Sequence, residues 1–126
     1  MTTCLVIDDS RVIRKVARRI LEDLGFIVDE AEDGVAGLER CRAMMPEAIL
    51  VDSIMPKLDG VGFMKTLRRE STGTLPKMVF CTTENDPVHI AQARAAGATE
   101  ILIKPFDKEM LEAQFAAAGV LTQRRL

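Results

Sequence analysis

Residues 48–52 read Ala48-Ile49-Leu50-Val51-Asp52, four apolar residues followed by a carboxylate. Three further apolar runs also end in a polar side chain: Leu5-Val6-Ile7 before Asp8-Asp9, Met78-Val79-Phe80-Cys81 before Thr82, and Ile101-Leu102-Ile103 before Lys104. Continuous apolar runs are typical of parallel strands that are buried on both faces. Open α/β sheets place their sites beyond the carboxyl ends of such strands. The pattern therefore predicts that three carboxylates, a hydroxyl and an ammonium group converge at one edge of a sheet.

Helix-length segments alternate with the strand-like runs along the chain. The first predicted helix begins at the N-cap Ser10, ends before Gly25 and buries one apolar stripe. That stripe consists of Ile13, Val16, Ala17, Ile20, Leu21 and Leu24. A second strand follows at Phe26-Ile27-Val28. Five βα units in succession predict a parallel sheet with helices on both faces.

The later helices have recognisable starts and ends. The second opens at Asp33-Gly34 and closes at Pro46, and the third follows the loop 55–60. The fourth begins at Asp86-Pro87 and ends at Gly97, and Asp107 caps the fifth. The side chains expected to face inward are Val35, Leu38, Cys41 and Met45 in the second helix and Phe63, Met64 and Leu67 in the third.

Size and composition indicate one domain, residues 1–126, whose end (residues 119–126) forms a frayed helix terminus. With 17 basic and 19 acidic side chains, the charge of −2 gives no basic excess for nucleic acid. No apolar run approaches the ~20 residues of a membrane span, and the amino terminus leaves no room for a signal peptide, so we expect a cytoplasmic protein. Cys4, Cys41 and Cys81 are expected to be buried, reduced thiols.

The three carboxylates Asp8, Asp9 and Asp52 favour a divalent-cation site. Crowded carboxylates repel one another, and Mg²⁺ (or Mn²⁺) with oxygen ligands relieves that repulsion. A carboxylate can also attack phosphorus to form an aspartyl phosphate, while a cation and a fixed ammonium such as Lys104 neutralise the transferring group. The Thr82 hydroxyl could donate a hydrogen bond to a phosphoryl oxygen. Structural roles stay open, because Asp and Thr after a strand also form turns and helix caps.

Taken in order, these residues resemble the receiver domains of two-component response regulators, over roughly residues 4–118. The resemblance rests on Val6-Ile7-Asp8-Asp9-Ser10, on Asp52-Ser53-Ile54-Met55-Pro56-Lys57-Leu58-Asp59-Gly60, on Thr82 and on Lys104-Pro105-Phe106. The run from Asp52 to Gly60 is its most specific part. The resemblance implies a flavodoxin-like (βα)5 fold, a doubly wound parallel sheet with strand order 2-1-3-4-5, in which the first and third strands are neighbours.

Roles for the site residues also follow from the resemblance. It makes Asp52 the phosphoacceptor, and makes Asp8, Asp9, Asp52 and the backbone carbonyl of Ile54 the Mg²⁺ site. Lys104 would contact the phosphoryl group, and Thr82 would turn inward to bond it. The Lys104-Pro105 peptide bond is expected to be cis. Such a domain catalyses its own phosphorylation and dephosphorylation, and is not a multiple-turnover enzyme on external substrates.

One departure from the family pattern concerns the switch. Ile101 stands where many receivers have a Tyr or Phe that swings inward with the threonine. Either Ile101 packs differently in two states, or another group, Phe80 or His89, takes over. As the only histidine, His89 is otherwise expected to be a surface residue.

A second departure concerns the turnover of the phosphoryl group. Thr83 replaces the usual smaller residue and is expected to narrow access to the site. Ile54 and Glu84 occupy positions that tune dephosphorylation in the family. Because the apolar Ile54 offers no group to orient an attacking water, we expect a longer-lived phosphorylated state.

Two surfaces are candidate partner sites. The first helix carries a basic row, which is either a solvated face or a dock for a histidine kinase or histidine phosphotransfer protein. That row consists of Arg11, Arg14, Lys15, Arg18 and Arg19. The resemblance places the output protein at the face of the fourth helix, fifth strand and fifth helix, which is rich in alanine. Neither nucleic-acid binding nor membrane insertion is expected.

The predicted function is that of a single-domain response regulator in which phosphorylation of Asp52 switches partner binding. The alternatives are a phosphate sink or relay intermediate, or a receiver fragment of a transcriptional regulator. An aspartyl phosphatase would commonly carry a second acid where Ile54 stands. A flavin or nucleotide carrier would need a glycine-rich loop where Asp8-Asp9-Ser10-Arg11 stands.

Overall fold

A computed structural model describes residues 2–71, 73 and 75–121. Its elements, in chain order, are β1 (Thr3–Ile7), α1 (Arg11–Asp23), β2 (Ile27–Ala31), α2 (Gly34–Ala43), β3 (Ala48–Asp52), α3 (Gly60–Glu70), β4 (Lys77–Thr82), α4 (Pro87–Ala96), β5 (Glu100–Ile103) and α5 (Lys108–Ala117). The strands form one parallel sheet in the order β2-β1-β3-β4-β5. The predicted fold class and strand order are therefore confirmed.

The register of the sheet aligns the carboxyl ends of the strands. Ile7 of β1 pairs with Val51 of β3, Asp52 pairs with Cys81 of β4, and Thr82 pairs with Ile103 of β5. The residues that directly follow β1 and β5 therefore lie beside Asp52 and Thr82, at the same edge. This alignment is what assembles a site from segments far apart in sequence.

Two apolar layers cover the sheet. On one face, α1 and α5 pack against Cys4, Val6 and Leu50, with Leu21 and Phe115 fully buried. On the other face, α2, α3 and α4 cover the alternate residues of the same strands, among them Ile7, Val51 and Phe80. Alternation of side chains between the two faces is a property of any strand. It places Thr82, two residues after Phe80, toward α4.

Most of the predicted caps are present. The side chains of Ser10, Asp33 and Asp107 each accept a hydrogen bond from a backbone N–H in the first turn of their helix. Asp86 is the N-cap residue of α4, as predicted, but its side chain forms no capping hydrogen bond. There α4 begins with Pro87 at its first position, and the Ile90 N–H donates to the Asp86 carbonyl.

Three side chains that were predicted to face inward are exposed. Val16 is 45% exposed because it lies beside the stripe that Ala17 and Leu21 bury. In α2 the buried row is Gly34, Gly37, Leu38 and Cys41, which leaves Val35 40% exposed. Met45, also 40% exposed, lies beyond the helix, which ends at Ala43.

Cys4, Cys41 and Cys81 are free and buried, as predicted, and burial raises the pKa of the Cys81 thiol to about 12.

Phe26 precedes β2 instead of starting it and packs edge-on against Phe115 at 5.5 Å between ring centroids. Within the described part of the chain, none of the helices has the length and apolar character needed to span a membrane. The predicted frayed terminus falls largely on residues 122–126, which lie outside the described residues.

Candidate functional site

Three carboxylates meet at the carboxyl edge of the sheet. Asp8 and Asp9 follow β1 directly, and Asp52 is the last residue of β3. Each offers one oxygen, and these oxygens all lie within 4.8 Å of one another. Asp8 and Asp52 are only 3% and 6% exposed, whereas Asp9 is exposed to solvent. The set is therefore open on one side, as a cation site that also admits a substrate must be.

Lys104 bridges two of these carboxylates. Its Nζ lies 2.9 Å from Oδ1 of Asp52 and 3.0 Å from Oδ2 of Asp8. Although burial alone would lower the pKa of Lys104, hydrogen bonds to Asp52 and Asp8 raise it, and the side chain stays charged. Burial, opposed by Lys104 and assisted by the charge of Asp8, raises the pKa of Asp52. The Lys104-Pro105 peptide bond is cis, as the resemblance implies.

Asp8 is held in place from three directions. Its Oδ1 accepts a hydrogen bond from the backbone N–H of Ser10 at 2.9 Å, while Oδ2 accepts from Lys104. The guanidinium of Arg14 donates to its backbone carbonyl at 2.7 Å. The start of α1 is therefore bonded to the acidic edge, and the direction of the Asp8 side chain is fixed before any ligand arrives.

Thr82 lies at the same edge but does not reach the carboxylates through a hydrogen bond. Its Oγ1 lies 3.0 Å from Nε2 of His89 and accepts a hydrogen bond from the backbone N–H of Glu84 at 3.1 Å. His89 therefore lies only partly at the surface, and its contact with Thr82 was not predicted. Its ring is half-buried and packs against Phe80, with centroids 5.7 Å apart.

Sequence reasoning offered only a weak signal for this contact. His89 is the third residue of α4 and lies seven positions after Thr82, with a four-residue loop between strand and helix. The first turn of α4 folds back over the end of β4. The length of that loop is the only feature of the sequence that suggests the approach.

The residues expected to tune the reaction come soon after the ends of β3 and β4 in the chain. Ile54 is 70% exposed, and Thr83 and Glu84 are exposed at the end of β4. Ile101 is partly buried and packs against the core on the α4 side of the sheet.

The basic row of α1 is largely engaged within the chain. Glu30 of β2 pairs with Arg14 at 3.0 Å, with Lys15 at 2.9 Å and with Arg18 at 2.7 Å. Arg11 and Arg19 are exposed and form no ion pair with the residues that the structure describes. The surface available to an acidic partner is therefore smaller than the five cations of the sequence indicated.

Replacing Glu30 by glutamine is expected to destabilise the fold at neutral pH by about 2 kcal/mol, after discounting for the solvent around Lys15 and Arg18. Burial alone would raise the pKa of Glu30, but hydrogen bonds from Arg18, Lys15 and Arg14 lower it from 4.5 to about 2. Because the folded-state pKa is depressed, this stability is present above pH 4.5 and is lost as the pH falls toward 2.

Urea unfolding of wild type and variant across this pH range measures the difference. The two curves should converge at the acid end. The control is Glu22→Gln, which removes an exposed i,i+4 pair with Arg18 and should cost under about 0.5 kcal/mol. A difference for Glu30→Gln that does not depend on pH would contradict the assignment.

Comparison with known proteins places this geometry in a family. Residues 4–116 match the family described as the response regulator receiver domain. The transcriptional regulatory protein CseB of Streptomyces coelicolor is 36% identical over 116 residues, which are 92% of this chain and 48% of that protein. The response regulator MprA of Mycobacterium ulcerans is 40% identical over 114 residues, 90% of this chain and 48% of that protein. The chain thus spans about half the length of these relatives.

A solved structure supports the same family assignment as the sequence relatives. The chemotaxis response regulator CheY4 of Vibrio cholerae superposes with a TM-score of 0.88 at 32% sequence identity. The match covers 94% of this chain and 98% of that one. The chain belongs to the response regulator receiver domain family.

Proposed function

We propose that Asp52 accepts a phosphoryl group from a phosphohistidine donor, with Mg²⁺ bound at the acidic edge. The observation that carries the proposal is that Lys104 Nζ lies 2.9 Å from Asp52 Oδ1 beside three carboxylates whose oxygens lie within 4.8 Å. A carboxylate beside a fixed ammonium and a cation-binding cluster is equipped for attack on phosphorus.

The donor set fits the proposed ion. Mg²⁺ prefers oxygen ligands, and one or two carboxylates with several waters and a phosphate oxygen suffice to hold it. Asp8, Asp9 and Asp52 offer such oxygens, and we propose that the Ile54 backbone carbonyl adds another. When bound, the ion would neutralise negative charge on the transferring group.

Asp52, Lys104 and Thr82 each have a distinct role in the proposed phosphoryl transfer. A carboxylate oxygen of Asp52 forms a bond to phosphorus while the bond from phosphorus to the donor's imidazole nitrogen breaks, and the electron pair leaves with that nitrogen. Lys104, whose pKa is raised by its two carboxylate partners, keeps its proton and balances the charge of the phosphoryl oxygens. We propose that the Thr82 hydroxyl turns from His89 and donates to one of those oxygens.

The consequence we propose is switched binding of a partner. A histidine kinase or phosphotransfer protein would approach the acidic edge beside α1, where Arg11 and Arg19 are unpaired among the described residues. An output protein would bind the face of α4, β5 and α5. A second candidate, the receiver part of a transcriptional regulator, is favoured by the name and length of the CseB relative. We place either form in the cytoplasm, where phosphohistidine donors act.

The test is incubation with acetyl phosphate and Mg²⁺ followed by intact mass measurement. We expect an increase of about 80 Da, the mass of one phosphoryl group, that depends on Mg²⁺ and is removed by hydroxylamine, because acyl phosphates react with that nucleophile. An increase that forms when EDTA replaces Mg²⁺ would contradict the proposed metal site, and one that resists hydroxylamine would contradict an aspartyl phosphate. No increase with either acetyl phosphate or a phosphohistidine donor would overturn the proposal.

A further inference from the structure

The hydroxyl of Thr82 is bonded to α4 and the loop before it. Thr82 is 1% exposed, and its Oγ1 lies 3.0 Å from Nε2 of His89 and 3.1 Å from the backbone nitrogen of Glu84. Within the described residues, His89 is the only side chain that forms a hydrogen bond with this hydroxyl. The contact therefore ties the end of β4 to the third residue of α4.

The proton count of these groups limits what Thr82 can do. A threonine hydroxyl has one proton to donate, and the Glu84 N–H already occupies one of its lone pairs. If the hydroxyl donates to His89 Nε2, it has no proton left for a phosphoryl oxygen. If instead Nε2 carries the proton and donates, the Thr82 proton is free but the oxygen remains held by two donors. In the first arrangement the hydroxyl must leave His89 before it can donate to a phosphoryl oxygen, and in the second its oxygen is held by His89 and by the Glu84 N–H.

The neighbouring side chains cannot take this role. Phe80 is fully buried, and its ring carries no polar atom that could form a hydrogen bond with the hydroxyl. Ile101 has no group that can bond to a hydroxyl. His89 alone combines a ring packed on Phe80, at 5.7 Å between centroids, with a polar atom on Thr82.

We propose that His89 is a positioning residue that holds Thr82 away from the phosphoryl group, and that its release from Thr82 carries the switch into the first turn of α4. The inference rests on the proposed phosphorylation of Asp52 and names the residue through which that event reaches the distal face. The His89 ring on α4 thereby takes the role of the Tyr or Phe that many receivers carry in β5, where this chain has Ile101.

The first experiment observes the imidazole directly. Because the sequence contains one histidine, ¹⁵N-histidine labelling gives a single pair of ring nitrogen signals. Beryllofluoride with Mg²⁺ serves as the probe for the phosphorylated state. We expect the Nε2 signal to shift when the probe binds to wild type. Thr82→Val lacks the hydrogen bond to His89, so its Nε2 signal should already lie near the chemical shift of probe-bound wild type. The probe should then move that signal by less than a quarter as much as in wild type. Thr66→Val, which removes a hydroxyl that donates to the Gly62 carbonyl within α3, should behave as wild type.

The second experiment measures how much the hydrogen bond between His89 and Thr82 slows phosphorylation. His89→Phe keeps a ring against Phe80 and removes the hydrogen bond. A hydrogen bond of typical net strength corresponds to about a threefold to tenfold effect, so we expect phosphorylation by acetyl phosphate to become about threefold to tenfold faster. In a Thr82→Val background the same replacement should change the rate by less than about 1.5-fold, because the two residues act as a pair.

The outcomes separate this inference from the function on which it rests. Failure of the proposed function gives neither a mass adduct nor a response to beryllofluoride in wild type, while the ring signals of wild type and Thr82→Val still differ. Failure of the inference gives a normal adduct with a ring signal that does not depend on Thr82. Equal rate changes for His89→Phe in both backgrounds would also overturn it.

Discussion

Replacing Asp52 by asparagine is expected to abolish the phosphoryl adduct formed from acetyl phosphate, with a loss of at least about 100-fold in the rate of labelling. The amide keeps the size of the side chain and can still accept the hydrogen bond from Lys104, but it lacks the anionic oxygen that attacks phosphorus. The fold should be preserved, because the replacement removes a charge that is buried beside another carboxylate, Asp8. Intact mass measurement with and without Mg²⁺ gives the result directly.

A matched control lies in the loop that follows Asp52. Asp59 is an exposed carboxylate whose side chain accepts a hydrogen bond from Gly62 N at the start of α3. Asparagine caps a helix about as well as aspartate, so Asp59→Asn should be labelled at the rate of the wild type. If Asp52→Asn forms as much phosphoryl adduct as wild type, Asp8 or Asp9 is the acceptor instead. Peptide mapping after borohydride reduction would then identify which.

The sequence was sufficient to predict that Asp8, Asp9, Asp52 and Lys104 meet at one edge of the sheet, because strand ends are easy to recognise in it. Each of the four apolar runs stops at a polar residue, and parallel pairing brings such residues to one edge whatever lies between them. Asp52 and Lys104 are 52 positions apart, yet their side chains are bonded at 2.9 Å. The contact follows from topology alone, once the strand order is known.

Interactions between side chains on different elements could not be predicted in this way. The contact between His89 and Thr82 depends on the angle at which α4 folds back over β4. The spacing of apolar residues in the sequence does not specify that angle. Glu30 attracts three cations of α1 because β2 lies beside the start of that helix, whereas the sequence alone displayed the cations as a free row. The exposure of Val35 likewise depends on the small residues Gly34 and Gly37, which let α2 approach the core along a different row.

Replacing Gly60 by alanine is expected to cost about 3 kcal/mol of unfolding free energy. Gly60 is the first residue of α3, and its N–H donates to the Ser53 carbonyl at 3.0 Å. An added methyl group would come closer than 3.0 Å both to the backbone carbonyl of Asp52 and to Cε1 of Phe80. Neither can move easily, because Asp52 ends a central strand and the ring of Phe80 is fully buried. Thermal unfolding should report a decrease in Tm of about 10 °C.

The sign of this effect distinguishes close packing from helix propensity. At an unconstrained helical position, glycine to alanine stabilises by up to about 1 kcal/mol. The control is Gly73→Ala, at an exposed glycine with no heavy atom within 4 Å of the added carbon, where we expect a change between zero and a gain of about 1 kcal/mol. Because the crowded carbonyl belongs to Asp52 itself, Gly60→Ala should also slow phosphoryl labelling under conditions where the variant remains folded. A variant as stable as wild type would mean that α3 can withdraw from β3, and labelling at the wild-type rate would then show that Asp52 does not depend on α3 for its position.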